Sequence, residues 1–332
     1  MGELRRDPVV GRWVIVETEH PDRPENLTQE PHVFKQEGTC QFCYGREAQT
    51  PPEIEASRLQ GTGANAPGWK VRVIPNKFPA LTIEGQLEKR GVGIYDLSNG
   101  IGAHEVVIET PEHRKGMADL SDEEVLEVIR KYKSRTLALS QDRRLKYVLI
   151  FKNYGESAGA SLEHGHSQII ALPMVPKYVL EELEGAKHYF DYRGRCVFCD
   201  LLSQELLEKT RIVVENKNFL AFCPFAPRFP FETWIVPKEH NAFFGDISDE
   251  QQYHLASILK ETLRRCKLVL SDPAYNFFVH HAPIAYEHKE RFHWHIEIIP
   301  KLTSIAGFEW GTGFYVVSTD PDLTAKYLRE TK

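Results

Sequence analysis

The stretch Ser161-Leu162-Glu163-His164-Gly165-His166-Ser167-Gln168 decides how the rest of the chain is interpreted. Apolar runs precede and follow it, so we expect it on or beside core strands. Side chains alternate between the two faces of a strand, which places His164, His166 and Gln168 together on one face. Three polar side chains on one face, flanked by core segments, indicate a functional site.

These residue types suit phosphoryl chemistry. An imidazole can attack phosphorus as a nucleophile, and a carboxamide beside it can donate a hydrogen bond to a phosphoryl oxygen. The alternative for an isolated pair is one histidine satisfied within a sheet and one exposed. The remainder of the chain decides between these interpretations.

Composition bounds the class of protein. The 332 residues are enough for two domains, and the net charge of -6 argues against broad binding to nucleic acid. No run approaches the length of a membrane span, and the N-terminal residues carry no apolar signal core. We therefore expect a cytoplasmic protein with a small-molecule partner and with neither nucleic acid nor membrane as a ligand.

Four of the six cysteines form two Cys-x-x-Cys pairs, Cys40/Cys43 and Cys196/Cys199. In a reducing compartment this spacing favours metal ligation over a disulfide. One such pair alone would fit a redox pair or two buried thiols about as well. The single residues Cys223 and Cys266 are interpreted as inert, buried side chains.

The two cysteine pairs each begin the same order of features. A strand running into a turn, a strand followed by a proline and then a histidine, a capped helix, a further strand and a His-x-His pair follow in both halves. His113 and His240 are 127 residues apart, and His164 and His293 are 129 apart. Six features in one order indicate two copies of one α+β unit. The boundary is expected near residues 176–195, which divides the chain into domains 1–190 and 191–332.

The repeat also selects two metal sites, because structural zinc takes four tetrahedral nitrogen or sulfur ligands. His104 competes with His113 but has no counterpart in the second half, so we interpret it as structural. His280 and His281 could be ligands or substrate contacts, and packing is the favoured interpretation. The two predicted zinc sites comprise Cys40, Cys43, His113 and His164, and Cys196, Cys199, His240 and His293.

The second copy differs from the first at the residue that matches the carboxamide. His295 is the counterpart of His166, but Glu297 stands where the first copy has Gln168. A carboxylate there would repel phosphate, so the second copy is expected to be catalytically silent. An additional role of His295 as a metal ligand is the less favoured possibility.

Assembled in this way, the chain resembles the galactose-1-phosphate uridylyltransferase family of the histidine triad superfamily, over about residues 12–313. The resemblance implies two fused histidine-triad-like units, each an antiparallel sheet with packed helices. The motifs that carry it are Cys40-x-x-Cys43, residues 76–81 (Asn-Lys-Phe-Pro-Ala-Leu), Pro111-Glu112-His113, Asn153, Ser161 and His164-x-His166-x-Gln168.

The resemblance implies a ping-pong reaction. His166 would attack the α-phosphorus of a nucleotide-sugar such as UDP-glucose, and a second hexose 1-phosphate would take the uridylyl group from the histidine. Gln168 can stabilise an oxyanion but cannot pass a proton, which favours transfer over hydrolysis. The resemblance assigns substrate binding to Arg23, Asn76, Phe78, Asn153, Ser161, Phe308 and Glu309.

Three departures from the best-known members resemble the branch that includes ADP-glucose phosphorylases. They are the His164-Gly165-His166-Ser167 sequence, the retained pair Cys196/Cys199, and a missing glutamine downstream of residues 307–313. The leading interpretation is a UDP-glucose:hexose-1-phosphate (galactose 1-phosphate) uridylyltransferase. An ADP-glucose phosphorylase-type adenylyltransferase is second. A non-catalytic zinc- and nucleotide-binding protein is less favoured, because it has no use for both His166 and Gln168.

The resemblance also implies a homodimer. Fused units of this kind have exposed sheet edges to protect. The apolar, aromatic-rich stretch from Phe222 to Phe231 is the candidate contact surface.

Overall fold

The structure is a computed structural model that describes residues 2–27 and 40–331. The strands are β1 Gly2–Arg6, β2 Trp13–Glu17, β3 Glu55–Arg58, β4 Trp69–Pro75, β5 Arg90–Val92, β6 Tyr95–Leu97, β7 Ala103–Ile108, β8 Tyr147–Tyr154, β9 His166–Leu172, β10 Ile212–Glu215, β11 Phe219–Phe222, β12 Thr233–Pro237, β13 Tyr275–His280, β14 His295–Pro300 and β15 Tyr315–Val317. The helices are α1 Pro24–Leu27, α2 Asp122–Leu139, α3 Lys177–Arg193, α4 Val197–Glu208, α5 Asp249–Val269, α6 Gly307–Thr312 and α7 Pro321–Glu330. None of these helices has the length and apolar character to cross a membrane.

A ten-stranded sheet organises these elements, in the order β10-β11-β12-β14-β13-β8-β9-β7-β4-β3. Every neighbouring pair in it is antiparallel. Each half of the chain contributes five strands in the same order from edge to centre. The predicted repeat is therefore a repeat of structure as well as of sequence.

The two halves meet where β8 pairs with β13. Phe151 lies opposite Gln168 in the first half, and Phe278 lies opposite Glu297 in the second, so the two phenylalanines are equivalent. They also lie opposite each other across the junction. A local two-fold axis thus passes between Phe151 and Phe278.

One face of the sheet is covered by α2 and α5. Both helices begin with the predicted capping box, in which Ser121 pairs with Glu124 and Ser248 pairs with Gln251. The two helices pack against each other and against the sheet around a shared hydrophobic core. Because Ser121 and Ser248 are equivalent caps, residues of α2 and α5 at the same distance from their cap are equivalent.

The opposite face differs between the halves. In the second half α3 and α4 bury Leu183 and Phe198 against this face. In the first half the segment with Cys40 and Phe42 packs there. This difference leaves room for a cleft over the first half.

The α+β class and the antiparallel five-stranded units are confirmed. The sequence did not indicate that the units would join edge to edge in one sheet. Helix α3 spans most of the expected boundary at residues 176–195 and buries Val179, Leu183 and Ala186, together with the carboxylate of Glu182. The division into domains 1–190 and 191–332 stays a prediction.

The expectation that Phe222 to Phe231 forms a dimer contact is wrong for most of the stretch. Phe222, Cys223 and Phe231 are buried within the chain. Phe225 is the large side chain of this stretch that is exposed, and the Arg5 guanidinium lies over its ring. The apolar composition reflects the core of the subunit.

Candidate active site and metal centres

A cleft of about 320 Å³ opens over the first half of the sheet, close to the lower size of small-molecule pockets. It brings together five of the predicted site residues: Asn76, Phe78, Ser161, His166 and Gln168. Lys77 also lines it and was not singled out from the sequence, although it stands within the motif at residues 76–81. It adds a cationic side chain to the lining of the cleft.

The imidazole of His166 is buried and held in one tautomer. Its Nδ1 atom lies 2.8 Å from the carbonyl oxygen of His164, to which it donates. The Nε2 atom therefore carries the lone pair. Burial lowers the pKa of His166 to about 4, and the nearby Lys152 ammonium acts in the same direction. The ring is neutral at physiological pH, as a nucleophile must be.

The carboxamide of Gln168 is oriented by His104. The Nδ1 atom of His104 accepts from the backbone N–H of Ala80 at 3.2 Å, so its Nε2 atom carries the proton. This Nε2 atom lies 2.7 Å from Oε1 of Gln168 and 3.1 Å from the amide nitrogen of Asn76. The Gln168 oxygen is thereby engaged, which leaves its NH₂ group as the donor available to a ligand.

Asn153 is placed by the second half of the chain. The Nδ2 atom of Asn276 donates to Oδ1 of Asn153 and to the carbonyl oxygen of Ala158, at 2.8 Å in both cases. Asn276 lies opposite Asn153 in the β8–β13 pair. No sequence signal identifies Asn276, because its position depends on the joining of the two halves.

Besides Asn153, which lies in β8, three predicted substrate residues do not line the cleft. Arg23 and Phe308 are exposed, and the Glu309 carboxylate accepts from the backbone N–H of Ala306 at the start of α6. All three belong to segments outside the ten-stranded sheet. Within one chain the structure does not bring them to His166.

The first predicted metal set is assembled. Its ligand atoms lie within 4.8 Å of one another. The Sγ atom of Cys43 is 3.4 Å from Nδ1 of His113 and 3.7 Å from Nδ1 of His164. Ligand atoms of a tetrahedral zinc site are about 3.3–3.8 Å apart, given zinc bond lengths of about 2.0–2.3 Å. The Nε2 atom of His164 donates to the carbonyl oxygen of Thr110, which directs Nδ1 to the metal position.

The second set repeats this geometry. The Sγ atom of Cys199 is 3.3 Å from Nδ1 of His240 and 3.7 Å from Nδ1 of His293. The pKa of Cys199 is lowered by its hydrogen bonds with Cys196, then with the two histidines, which favours the thiolate that a metal requires. Both sets fit a tetrahedral metal ion.

The second-half counterpart of the cleft is nearly filled. It has room for about 10 Å³, against about 320 Å³ in the first half. Arg228 forms ion pairs there with Glu232 and Glu297. Burial acts to raise the pKa of Glu297, but Arg228 and His295 have the larger, opposite effect. The pKa is therefore lowered, and the carboxylate is charged. This supports the prediction that the second half is silent.

A third group of possible metal ligands lies beside Arg228. Ligand atoms of Glu182, His280, His295 and Glu297 are within 4.8 Å of one another. His280 is bound to Glu182 at 2.7 Å, and the pKa of His280 is raised because Glu182 outweighs the effect of burial. The Arg228 guanidinium pairs with the Glu297 carboxylate, and Glu182 favours the charged form of His280.

Comparison with known proteins matches both halves. The model of the galactose-1-phosphate uridyl transferase N-terminal domain matches residues 2–176, and that of the C-terminal domain matches residues 182–312. The ADP-glucose phosphorylase of Arabidopsis thaliana is 36% identical over 99% of this chain and 92% of its own length. The galactose-1-phosphate uridylyltransferase of Thermotoga maritima is 29% identical over 100% of this chain and 99% of its own length.

Solved structures give the same result. The crystal structure of the A. thaliana ADP-glucose phosphorylase with bound ADP-glucose has a TM-score of 0.83 and 35% identity, with both chains fully covered. A uridylyltransferase structure has a TM-score of 0.77 and 29% identity, covering 99% of this chain and 97% of the other. The fold and the family of the chain follow from these matches.

We expect two zinc ions per chain. Replacing Cys40 by Ser, or Cys196 by Ser, should remove one ion each, because each change breaks one complete set. Cys196→Ser should also lower the melting temperature, since its metal joins α4 to the loops around His240 and His293. Metal analysis and thermal unfolding measure both effects. A protein that binds fewer than one zinc per chain would refute the assignment.

Proposed function

This chain belongs to the galactose-1-phosphate uridylyltransferase family, and we propose that it is a nucleotidyltransferase that passes a nucleoside monophosphate through His166. The observation that carries this proposal is the neutral imidazole of His166, whose Nδ1–H is held by the His164 carbonyl while Nε2 is free to attack. The group transferred comes from a nucleoside diphosphate hexose.

In the first step Nε2 of His166 bonds to the α-phosphorus, and the bond from that phosphorus to the bridging oxygen breaks. Hexose 1-phosphate leaves with this oxygen and needs no proton at physiological pH. Positive charge develops on the imidazole, and the carbonyl oxygen of His164 stabilises it through Nδ1–H. The acceptor then attacks the same phosphorus and returns His166 to its starting state.

The residues of the cleft stabilise the phosphoryl oxygens. The NH₂ group of Gln168 donates to one of them, because His104 engages the carboxamide oxygen. Lys77, Asn153 and Ser161 provide further positive charge and donors. Asn76 and Phe78 hold the nucleoside, for which the exposed ring of Phe78 offers a stacking surface.

Zinc acts on structure in this proposal. Bound by Cys40, Cys43, His113 and His164, it would fix the residue whose carbonyl orients His166. The second set would fix α4 and the loops of the second half. Neither metal has a role in bond making.

UDP-glucose is our first candidate for the nucleotide donor, with galactose 1-phosphate or another hexose 1-phosphate as acceptor. Curated uridylyltransferases from T. maritima and Haemophilus influenzae support it at 29% and 30% identity. ADP-glucose is the second candidate, with phosphate as acceptor. The 36% identity to an ADP-glucose phosphorylase favours it, as do His164-Gly165-His166-Ser167 and the second cysteine pair. We place the protein in the cytoplasm, as the sequence predicted.

We further propose a homodimer in which Arg23, Phe308 and Glu309 reach the cleft of the other subunit. They match substrate-binding residues of the family but do not line the cleft of their own chain. The exposed Phe308 and Trp310 of α6 are available for such a contact. This arrangement would place the sugar between subunits.

The covalent intermediate identifies the nucleotide. The protein is mixed with UDP-glucose or with ADP-glucose, and its intact mass is measured. We expect an adduct, heavier for adenylyl than for uridylyl. His166→Gly should bind zinc normally and form no adduct, because the metal uses His164. An adduct on His166→Gly, or sequential steady-state kinetics, would refute the mechanism.

His104 is expected to act through Gln168. Gln168→Ala should slow adduct formation by roughly 10²–10³, as for loss of one oxyanion donor. His104→Leu should slow it by about 5-fold, since one orienting hydrogen bond is worth about 1 kcal/mol. The double variant should be no slower than Gln168→Ala alone. Additive losses would show that His104 acts independently, and His288→Leu, at an exposed site, is the control.

Subunit complementation tests the dimer. His166→Gly and Glu309→Ala are each expected to be inactive or nearly so as homodimers. After co-expression, the mixed dimer contains one cleft with both lesions and one with neither, so activity should return. If each cleft used its own Glu309, both clefts of the mixed dimer would carry one lesion and no activity would return. A monomer in sedimentation at micromolar concentration would also contradict the proposal.

A further inference from the structure

A buried polar network lies beneath the strand that carries His166, on the face turned away from the cleft. Its members are Glu109, Tyr132, Lys152 and Ser167, which are at most 1% exposed. They come from β8, β9, α2 and the residue after β7. The proposed reaction, as described above, uses none of them.

Lys152 is the centre of the network. Its ammonium donates to Oε2 of Glu109 at 2.7 Å and to the carbonyl oxygen of His166 at 2.9 Å. The backbone N–H of Glu109 in turn donates to the carbonyl oxygen of Gly165 at 3.0 Å. The ion pair therefore holds the peptide carbonyl of His166, and the backbone of Glu109 holds that of Gly165.

Tyr132 extends the network to the next residue of the strand. Its hydroxyl donates to Oγ of Ser167 at 2.6 Å. The pKa of Tyr132 is raised by burial and then by the Glu109 carboxylate, so the phenol remains protonated. Two consecutive residues, His166 and Ser167, are thus each contacted by a buried side chain of the network.

The equivalent positions in the second half show which side chains this fold can accommodate in place of the network. Phe151 and Phe278 are equivalent, so Lys152 corresponds to Val279. Gln168 and Glu297 are equivalent, so Ser167 corresponds to Ile296.

The remaining two members correspond to apolar residues as well. Val106 lies opposite Gln168 and Trp234 lies opposite Glu297, which aligns Glu109 with Pro237. The helix caps align Tyr132 with Leu259. The same sheet and helix therefore pack around apolar side chains in the half without the predicted chemistry. A buried ion pair contributes less to stability than such a core, so packing does not explain its presence.

The pairing of β8 with β9 shows why the carbonyl oxygen of His166 needs a hydrogen-bond donor from a side chain. Pairing between β8 and β9 ends at Phe151 and Gln168. In the second half the pairing of β13 with β14 continues to His280 and His295. The strands separate before His166 in the first half, and the Lys152 side chain bonds to its carbonyl.

We propose that Lys152, held by Glu109, is a positioning residue for nucleotidyl transfer. It fixes the peptide plane of His166 and, through it, the direction in which Nε2 meets the α-phosphorus. This inference rests on the proposed function, since it presumes that His166 attacks. A displacement of about 1 Å in such a contact can reduce a rate by about 10².

The test is the double variant Lys152→Met with Glu109→Leu, which imitates the apolar second half and leaves no unpaired buried charge. We expect its zinc content and melting temperature to match or exceed those of the unaltered protein. Its single-turnover rate of adduct formation should fall by about 10- to 100-fold, with unchanged affinity for the nucleotide-sugar. Val279→Met, the same side chain at the equivalent site, is the control and should keep the full rate.

Each outcome is decisive. A double variant that forms the adduct at the full rate, or whose loss follows weaker nucleotide-sugar binding, would show that the network is structural and refute the inference alone. Misfolding of the double variant would also refute it, because the network would then be required for stability. If the unaltered protein forms no adduct with either nucleotide-sugar, the proposed function fails, and the inference fails with it.

Discussion

The hydrogen bond from Nδ1 of His166 to the carbonyl oxygen of His164 is the interaction on which the site depends. It connects the ring that faces the cleft to the backbone of a residue whose own ring lies in the metal cluster. His164 and Gly165 form a bend immediately before β9, which begins at His166, so alternation along a strand does not explain this contact. Orientation of the nucleophile is in this way built into the main chain and does not rely on a flexible side chain.

Part of this site could be predicted from the sequence, because strand periodicity and cysteine spacing are local signals. It gave the shared face of His166 and Gln168, the two ligand sets and the capped helices. It could not predict His104, whose contact with Gln168 depends on β7 pairing with β9 in one register. The role of Asn276 could not be predicted either, because Asn276 reaches Asn153 only across the junction of the two halves. Composition alone also could not distinguish the buried Phe222 from a residue at a subunit contact.

The two halves show how one framework can be made reactive or inert. Where the first half has an open cleft over His166, the second has Arg228 paired with Glu297 beside His295. On the face of the sheet that the helices cover, the first half buries the ion pair of Lys152 and Glu109. The second half buries apolar side chains at the equivalent positions. The strand that carries His166 thus has polar groups on both of its faces. The equivalent strand of the second half has them on one face.

The pairing of Phe151 with Phe278 has an evolutionary consequence. Two equivalent residues that face each other across antiparallel strands define the self-complementary contact of a symmetric dimer. A single ancestral unit could have formed this sheet with its own copy, but any mutation would then have appeared twice. Once joined in one polypeptide, the partners meet at every concentration and each carries its own mutations. Fusion therefore allows the two copies to diverge, while strand β13 of the second copy, through Asn276, still positions Asn153 of the first.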